Sequence, residues 1–516
     1  MTQPADLILT NATVHTLAEP DETAEAVAVR DGEIVRVDDE YEVGFLEGAE
    51  TEVVDLGGRV LLPGFVDAHT HVQTLGSYLV HADLSAADSP ADCVDLLAEN
   101  AHDDREWILG YGFDESTWDE SRYLTRADLD AVSETRPVAA FREDMHVGAV
   151  NGVALERLRD EMPDEDVRVA STSDDAETGE PTGVIVEDAV DAVYEAIEPD
   201  AGETRELLLA AQRHAHREGV TAVHDMVRRS RAPEVYRRLD LDGDLALRVR
   251  LNYWSDHLDA LDELGLRTNH GSEFVRTGGV KTLTDGSIGG RTAKVSTPYE
   301  DGEGTGQWVV PPEELDEIVA RADDAGLQAV AHAIGDEAIT AVLDAFERTD
   351  DPDEARHRVE HAEMLTDEHI ERFGESGAVA SVQPNFLKWA GPDGLYEDRI
   401  GTERRHRTNR YRDLLDAGAR LAFGSDCMPL SPLLGVHHAV NAPAEGQRLT
   451  VTEALRAYTL GGAYAGFDED RMGTVEPGKL ADLVVLERSP WEHAEDVVDI
   501  DVAMTLVGGE VVYDDR

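Results

Sequence analysis

Leu61-Leu62-Pro63-Gly64-Phe65-Val66-Asp67-Ala68-His69-Thr70-His71 is an apolar run that passes through Pro-Gly into two histidines one residue apart. In extended backbone, residues i and i+2 point to the same side. His69 and His71 therefore stand side by side at a strand end, spaced to grip one metal ion. An isolated His-x-His also arises as two polar side chains on one strand face. What gives this one weight is four further potential ligands, each at the end of a short apolar run.

Seven more such runs follow. They end at Asp225 in Val220-Thr221-Ala222-Val223-His224-Asp225, near Trp254 in the run from Leu247, and after Lys281 in Gly279-Val280-Lys281-Thr282-Leu283. The others end at His332 in Gln328-Ala329-Val330-Ala331-His332, at His361 in His357-Arg358-Val359-Glu360-His361, near Gln383 in the run from Ala378, and at Asp426 in the run from Arg420. Helical stretches alternate with them, the pattern of a parallel α/β fold. With the run that closes on His71 they make eight strands, which favours a closed (β/α)8 TIM barrel over an open sheet. In such a barrel the chemistry sits at the C-terminal ends of the strands. Polar residues ending several apolar strands at once are hard to explain as packing.

The termini read differently. Leu7-Ile8-Leu9, Ala26-Val27-Ala28-Val29, Glu33-Ile34-Val35-Arg36-Val37 and Thr51-Glu52-Val53-Val54 are short β-rich segments punctuated by Asp31-Gly32 and Gly57-Gly58. Segments of the same kind return at Ala481–Leu486 and Met504–Tyr513. Residues 1–59 and 470–516 are thus expected to form one composite β-sandwich domain around a barrel at 60–469. The interval between the first two barrel strands far exceeds one crossover, so a large insertion, at about 73–215, is expected over the barrel mouth as a lid or substrate wall. Its acidic segment from Asp164 to Glu180 reads as an exposed loop.

Charge narrows the setting. The chain has 45 Lys+Arg against 109 Asp+Glu, a formal net charge of -64 spread through every segment. In dilute buffer that charge repels itself strongly, whereas at about 1 M salt the Debye length is only about 3 Å, so a high-salt medium is expected. The charge argues against nucleic acid or an anionic membrane as partner, since both need a basic surface. Lysine occurs only at 281, 294, 388 and 479. Two cysteines, Cys93 and Cys427, exclude a disulfide framework and a cysteine zinc site. The N-terminus lacks the basic start and apolar core of a signal peptide, and no run approaches about 18 apolar residues. A cytoplasmic protein is expected.

Collected at the strand ends, His69, His71, Lys281, His332, His361 and Asp426 form one candidate metal constellation. The chain resembles the amidohydrolase superfamily, in the branch that includes N-substituted formamide deformylases. The likeness is carried by Pro63 to His71, Gly110–Asp114, Lys281–Ala293 (KTLTDGSIGGRTA), Ala331–Asp336, Val359–Ala362, Gly424–Asp426 and Gly473–Leu483 (GTVEPGKLADL). It implies that His69, His71 and Asp426 bind a buried metal, that His332 and His361 bind a more exposed one, and that Lys281, carboxylated by CO2 to a carbamate, bridges them. A lysine amine can become a ligating carbamate and a guanidinium cannot, which fits a lysine retained in an arginine-rich chain. Nitrogen and oxygen ligands suit Zn2+, with Mn2+, Co2+ or Fe2+ also fitting, one or two ions per subunit.

Such a centre acidifies a water that attacks a substrate carbonyl, with Asp426 as general base passing the proton to the leaving amine. Cys427 reads as a small buried neighbour. The expected substrate is a small molecule with a non-peptide amide, N-formyl or N-acyl bond. Its expected contacts are His146, Trp118, Trp254, Trp308 and Gln383, with Tyr253, Asn385 and Phe386 nearby; the alternative is that most of these aromatics only pack the insertion. The rival readings are a deaminase or an ester or lactone hydrolase on the same barrel, and a noncatalytic assembly protein. The deaminase reading leaves Lys281 without a role, and position 335 is Gly where such enzymes commonly carry an acid. The oligomeric state stays open, with a homodimer as the named option.

Overall fold

The computed structural model describes residues 3–102, 105–143, 147–169, 179–392 and 394–516. Its centre is an eight-stranded parallel sheet, with strands β1 Phe65–Thr70, β2 Val220–Val227, β3 Arg248–Trp254, β4 Val275–Leu283, β5 Gln328–Ala333, β6 Arg358–His361, β7 Val379–Val382 and β8 Arg420–Phe423, neighbours in chain order. One register row runs Thr282, Ala331, Val359, Ala380, Leu421 across the last five strands. The last seven strands stand where their apolar runs place them, and the first begins only at Phe65.

The sheet curls until β8 meets β1, and the seam is made mostly by one side chain. The Asp426 N–H donates to the His69 carbonyl at 2.7 Å. The Asp67 carboxylate accepts from the Ser425 N–H at 3.0 Å and the His69 N–H at 3.1 Å. Gly424 permits this approach, since a Cβ there would lie 2.4 Å from the His69 nitrogen. Helices between strands follow the apolar period. Pro312–Asp324 begins with proline in its first turn and buries Leu315, Val319 and Ala322, one stripe along its length.

The terminal segments form two sheets. One contains Leu7–Thr10, Ala26–Arg30, Glu33–Asp38 and Glu52–Asp55; its Asp31-Gly32 hairpin has positive φ at both residues (53° and 80°), the backbone of a type I′ turn. The other joins Thr13–His15, Thr23–Ala24 and Val60–Pro63 from the N-terminal side to Leu483–Leu486, Val502–Val507 and Glu510–Asp514. A shared core of Leu9, Val27, Leu61, Leu483, Val485 and Leu506 lies between the two sheets. The run from Leu61 is therefore two strands: Val60–Pro63 belongs to the terminal sheet and Phe65–Thr70 to the barrel. Gly64 makes the break, because a Cβ there would sit 2.3 Å from the Thr221 Cγ2. Arg248 of β3 ties the barrel to this sheet through a bidentate pair with Asp482, at 2.6 and 3.0 Å.

The chain divides into two compact units, Met1–Val72 with Gln212–Arg229 and Tyr236–Arg516, and Gln73–Ala211 with Ser230–Val235. The second is a six-stranded mixed sheet in the order Val167–Val169, Pro181–Val186, Val147–Val150, Val138–Arg142, Ile108–Phe113 and Ala82–Asp83. Two clusters, one around Leu109, Phe141 and Ile185 and one around Leu97, Phe113 and Val138, bury its apolar side chains. The expected loop from Asp164 to Glu180 is corrected in part, because Val167–Val169 is an edge strand paired with Pro181–Val186. The reason is local: Val167 turns inward and is buried while Asp164 and Glu165 just before it stay exposed. No described helix is long and apolar enough to cross a membrane.

Candidate metal centre

The expected ligands converge at the C-terminal ends of the barrel strands. Ligand atoms of His69, His361 and Asp426 all lie within 4.8 Å of one another. His71 Nε2 is 3.2 Å and His69 Nε2 3.6 Å from Asp426 Oδ1. The His361 ring stands between the two expected ligand sets, its centroid 4.9 Å from that of His69 and 4.5 Å from that of His332. Lys281 lies in register with Trp254 of β3 and Val330 of β5, and its Nζ is buried with no hydrogen-bond partner. Such a group is costly to leave unsatisfied.

The turns that carry two of these residues are strained. His361 and Ala362 have φ of 71° and 47°, and Asp426 and Cys427 have φ of 54° and 64°. Left-handed backbone costs a non-glycine residue on the order of 1 kcal/mol or more, so the surrounding structure holds both side chains in place against a local preference.

Burial sets the electrostatics. It pushes the His69, His332 and His361 imidazoles well below their ordinary range, with neighbouring cationic groups acting in the same direction. Neutral rings are the form that ligates metal. For His71, burial acts downward but the Asp426 hydrogen bond and charge outweigh it, and the net shift is upward. Burial pushes the Lys281 amine down to about 8, against the charges of Glu360 and Asp426. Asp426 is raised by burial and lowered by His69, His71 and Lys281, with a net downward shift that favours the carboxylate.

Three of the four rings have a hydrogen-bond partner from the surrounding protein. The His361 Nδ1 meets Gln383 Oε1 at 2.6 Å, and Phe386 stacks on the same ring at 5.8 Å. The His332 Nε2 lies 3.0 Å from the Gly286 carbonyl, and Asp285 nearby accepts backbone N–H bonds from Lys294, Ile334 and Gly335 at 2.7 to 3.0 Å. The His69 Nδ1 meets Glu360 Oε2. Sequence reading missed Glu360 and Asp285. The available signal for Glu360 was a charged pair, Arg358 and Glu360, two apart in the short run that ends at His361.

The expected substrate contacts divide. Gln383 is buried against His361. Trp254 is half-buried at the end of β3 beneath the Arg228 guanidinium, 5.3 Å away. Trp308 is half-buried with the Lys294 Nζ 6.0 Å from its ring. Trp118 is corrected to a packing residue: its indole N–H donates to the Ala87 carbonyl at 2.7 Å and its ring lies against Phe113 in the core of its own unit. His146 lies outside the described residues. Cys427 is buried, and burial raises its thiol well above the ordinary range, which fits its reading as a neighbour and not a nucleophile.

Residues 52–513 match a family model described as "Amidohydrolase family". The chain is 32% identical to the putative amidohydrolase YtcJ of Bacillus subtilis (strain 168), over 97% of this chain and 98% of that protein. It is 28% identical to the N-substituted formamide deformylase of Arthrobacter pascens, over 100% and 99%. Among solved structures it is similar to an uncharacterized metal-dependent hydrolase from Pyrococcus furiosus, with a TM-score of 0.81 and 30% identity, over 94% of this chain and 99% of that one.

Proposed function

The chain belongs to the amidohydrolase family, and from that premise we propose that it hydrolyses a carbon–nitrogen bond, other than a peptide bond, in a small N-formyl or N-acyl amine. The observation that carries this reading is the Lys281 amine, buried without a hydrogen-bond partner on the barrel whose His69, His361 and Asp426 ligand atoms lie within 4.8 Å of one another. These nitrogen and oxygen donors fit a divalent transition ion, Zn2+ first. His69, His71 and Asp426 would hold it, and His332 and His361 would hold a second. Lys281 after reaction with CO2 would lie between them, its amine losing a proton as the N–C bond forms.

A bound ion supplies Lewis-acid polarisation of the substrate carbonyl and lowers the pKa of water. The protein's own groups do the rest. The Asp426 carboxylate accepts the proton of the attacking water and returns it to the departing nitrogen, which leaves as a neutral amine. Barrel strands β1, β4, β5, β6 and β8, with the turns that follow them, fix the participating side chains before substrate arrives. The aromatic faces of Trp254 and Trp308 favour an apolar or aromatic substituent on that amine.

The test is a substrate screen in high salt with Zn2+-, Mn2+- or Co2+-loaded protein, using N-formyl amines, N-acyl amino acids and cyclic amides. Release of free amine from the first two classes is expected. Ammonia released from amino-purines or amino-pyrimidines, with no turnover of amides, would replace this reading by deamination, and turnover confined to esters or lactones would move the reaction to a carbon–oxygen bond.

A further inference from the structure

A charged cluster lies within the barrel directly behind His69. Barrel interiors are ordinarily filled by branched apolar side chains, yet β6 buries Arg358 and Glu360, at 1% and 0% exposure. A buried ion pair has to recover a desolvation cost of several kcal/mol per ion, so its geometry invites a functional account. The Arg358 Nε donates to Glu360 Oε1 at 2.8 Å, and the Ser381 hydroxyl donates to Oε2 at 2.8 Å. The His69 Nδ1 lies against that same Oε2. Arg358 is held in turn by His224 Nδ1 at 2.7 Å, the Ala68 carbonyl and the Ser381 hydroxyl.

We propose that Glu360 is a positioning residue for the metal centre: by accepting the Nδ1 proton of His69 it fixes the tautomer and tilt of that ring and leaves Nε2 bare on the side of Asp426. The proposal rests on the metal reading of the site. Arg358 supplies the counter-charge, and Ser381 fixes the oxygen that His69 meets. His361 has a neutral support, the Gln383 amide, and His332 meets the Gly286 carbonyl at 3.0 Å with the Asp285 carboxylate farther off at 3.5 Å. A carboxylate behind an imidazole makes it a stronger base than a neutral acceptor does. His69 is therefore a stronger nitrogen donor than His361, whose Nδ1 meets only the Gln383 amide, and the ion bound through His69 is held the more tightly for it.

Two measurements decide the matter. Neutron diffraction from metal-free wild-type crystals should locate a deuteron on His69 Nδ1 and none on Nε2; a deuteron on Nε2 or on the Glu360 carboxylate overturns the proposal. Chelator competition with Co2+ should show Glu360→Gln binding about tenfold to a hundredfold more weakly than wild type, with a changed visible Co2+ spectrum. A merely structural role would lower thermal stability and leave affinity and spectrum alone, and that outcome in a folded Glu360→Gln protein overturns the proposal by itself. Should Glu360→Gln fail to fold, Ser381→Ala removes one donor to Oε2 and should weaken Co2+ binding by a smaller factor, with undiminished affinity counting against the idea. Wild-type protein that binds no Co2+ overturns the metal reading and this proposal together.

Discussion

Replacing Lys281 by methionine asks whether the buried amine serves the fold or an occupant of the site. The side chain is 2% exposed and its Nζ has no hydrogen-bond partner. Burial takes the amine from its ordinary 10.5 down to about 8. At about 1.4 kcal/mol per pH unit, that drop corresponds to about 3 kcal/mol for carrying the charge inside the folded protein. Methionine is similarly long and flexible and brings no group that needs a hydrogen bond. Metal-free, CO2-depleted Lys281→Met protein should therefore be more stable than wild type by about 1–3 kcal/mol near neutral pH. The sign follows from proton binding: between pH 8 and 10.5 the unfolded amine is protonated and the folded one is not, so wild-type stability rises across that window. The advantage of methionine is full below about pH 8 and fades by 10.5. Urea unfolding in concentrated salt at several pH values measures it. Equal stability, or a gap that ignores pH, would mean that the amine finds water or a partner in solution, and the argument from an unsatisfied group would fall.

Three further outcomes are expected. Asp426→Asn should keep the fold and some metal but lose several orders of magnitude in kcat, because the amide cannot accept the water proton; full activity would sink the mechanism. Gly424→Ala should cost about 1–3 kcal/mol and lower metal content, since the added methyl forces the His69 backbone away from the β8 turn, and calorimetry with metal analysis would detect either failure. Dialysis from concentrated salt into dilute buffer should lower the Tm or unfold the protein, as its formal charge of -64 loses screening; a salt-independent Tm would remove the high-salt reading.

The barrel was legible because each strand is a short apolar run with a polar stop, and that stop is where the backbone leaves the sheet. Which sheet a run joins was less legible. Val60–Pro63 and Phe65–Thr70 are equally buried, and it is their different partners, Leu483–Leu486 and Val220–Val227, that show them to belong to different layers. The histidines and Asp426 could be found by residue type, since their chemistry is local to the side chain. Glu360 could not, because its meaning depends on His69, 291 residues earlier in the chain. Trp118 misled for the converse reason: an aromatic beside a turn looks available, and the Ala87 carbonyl that occupies its N–H is invisible until the insertion is folded.

The pairing of Val60–Pro63 with Leu483–Leu486 sets a timetable for the newborn chain. More than 400 residues must leave the ribosome before Leu61 meets Val485, a delay of roughly 20–80 s at ordinary elongation rates. Throughout that interval Val60-Leu61-Leu62-Pro63 leads directly into the first barrel strand with its partner on one edge still unmade. The last strands to be synthesised thus cover the edge from which the barrel begins. The acidic charge dispersed along the waiting chain works against premature encounters between unfinished copies.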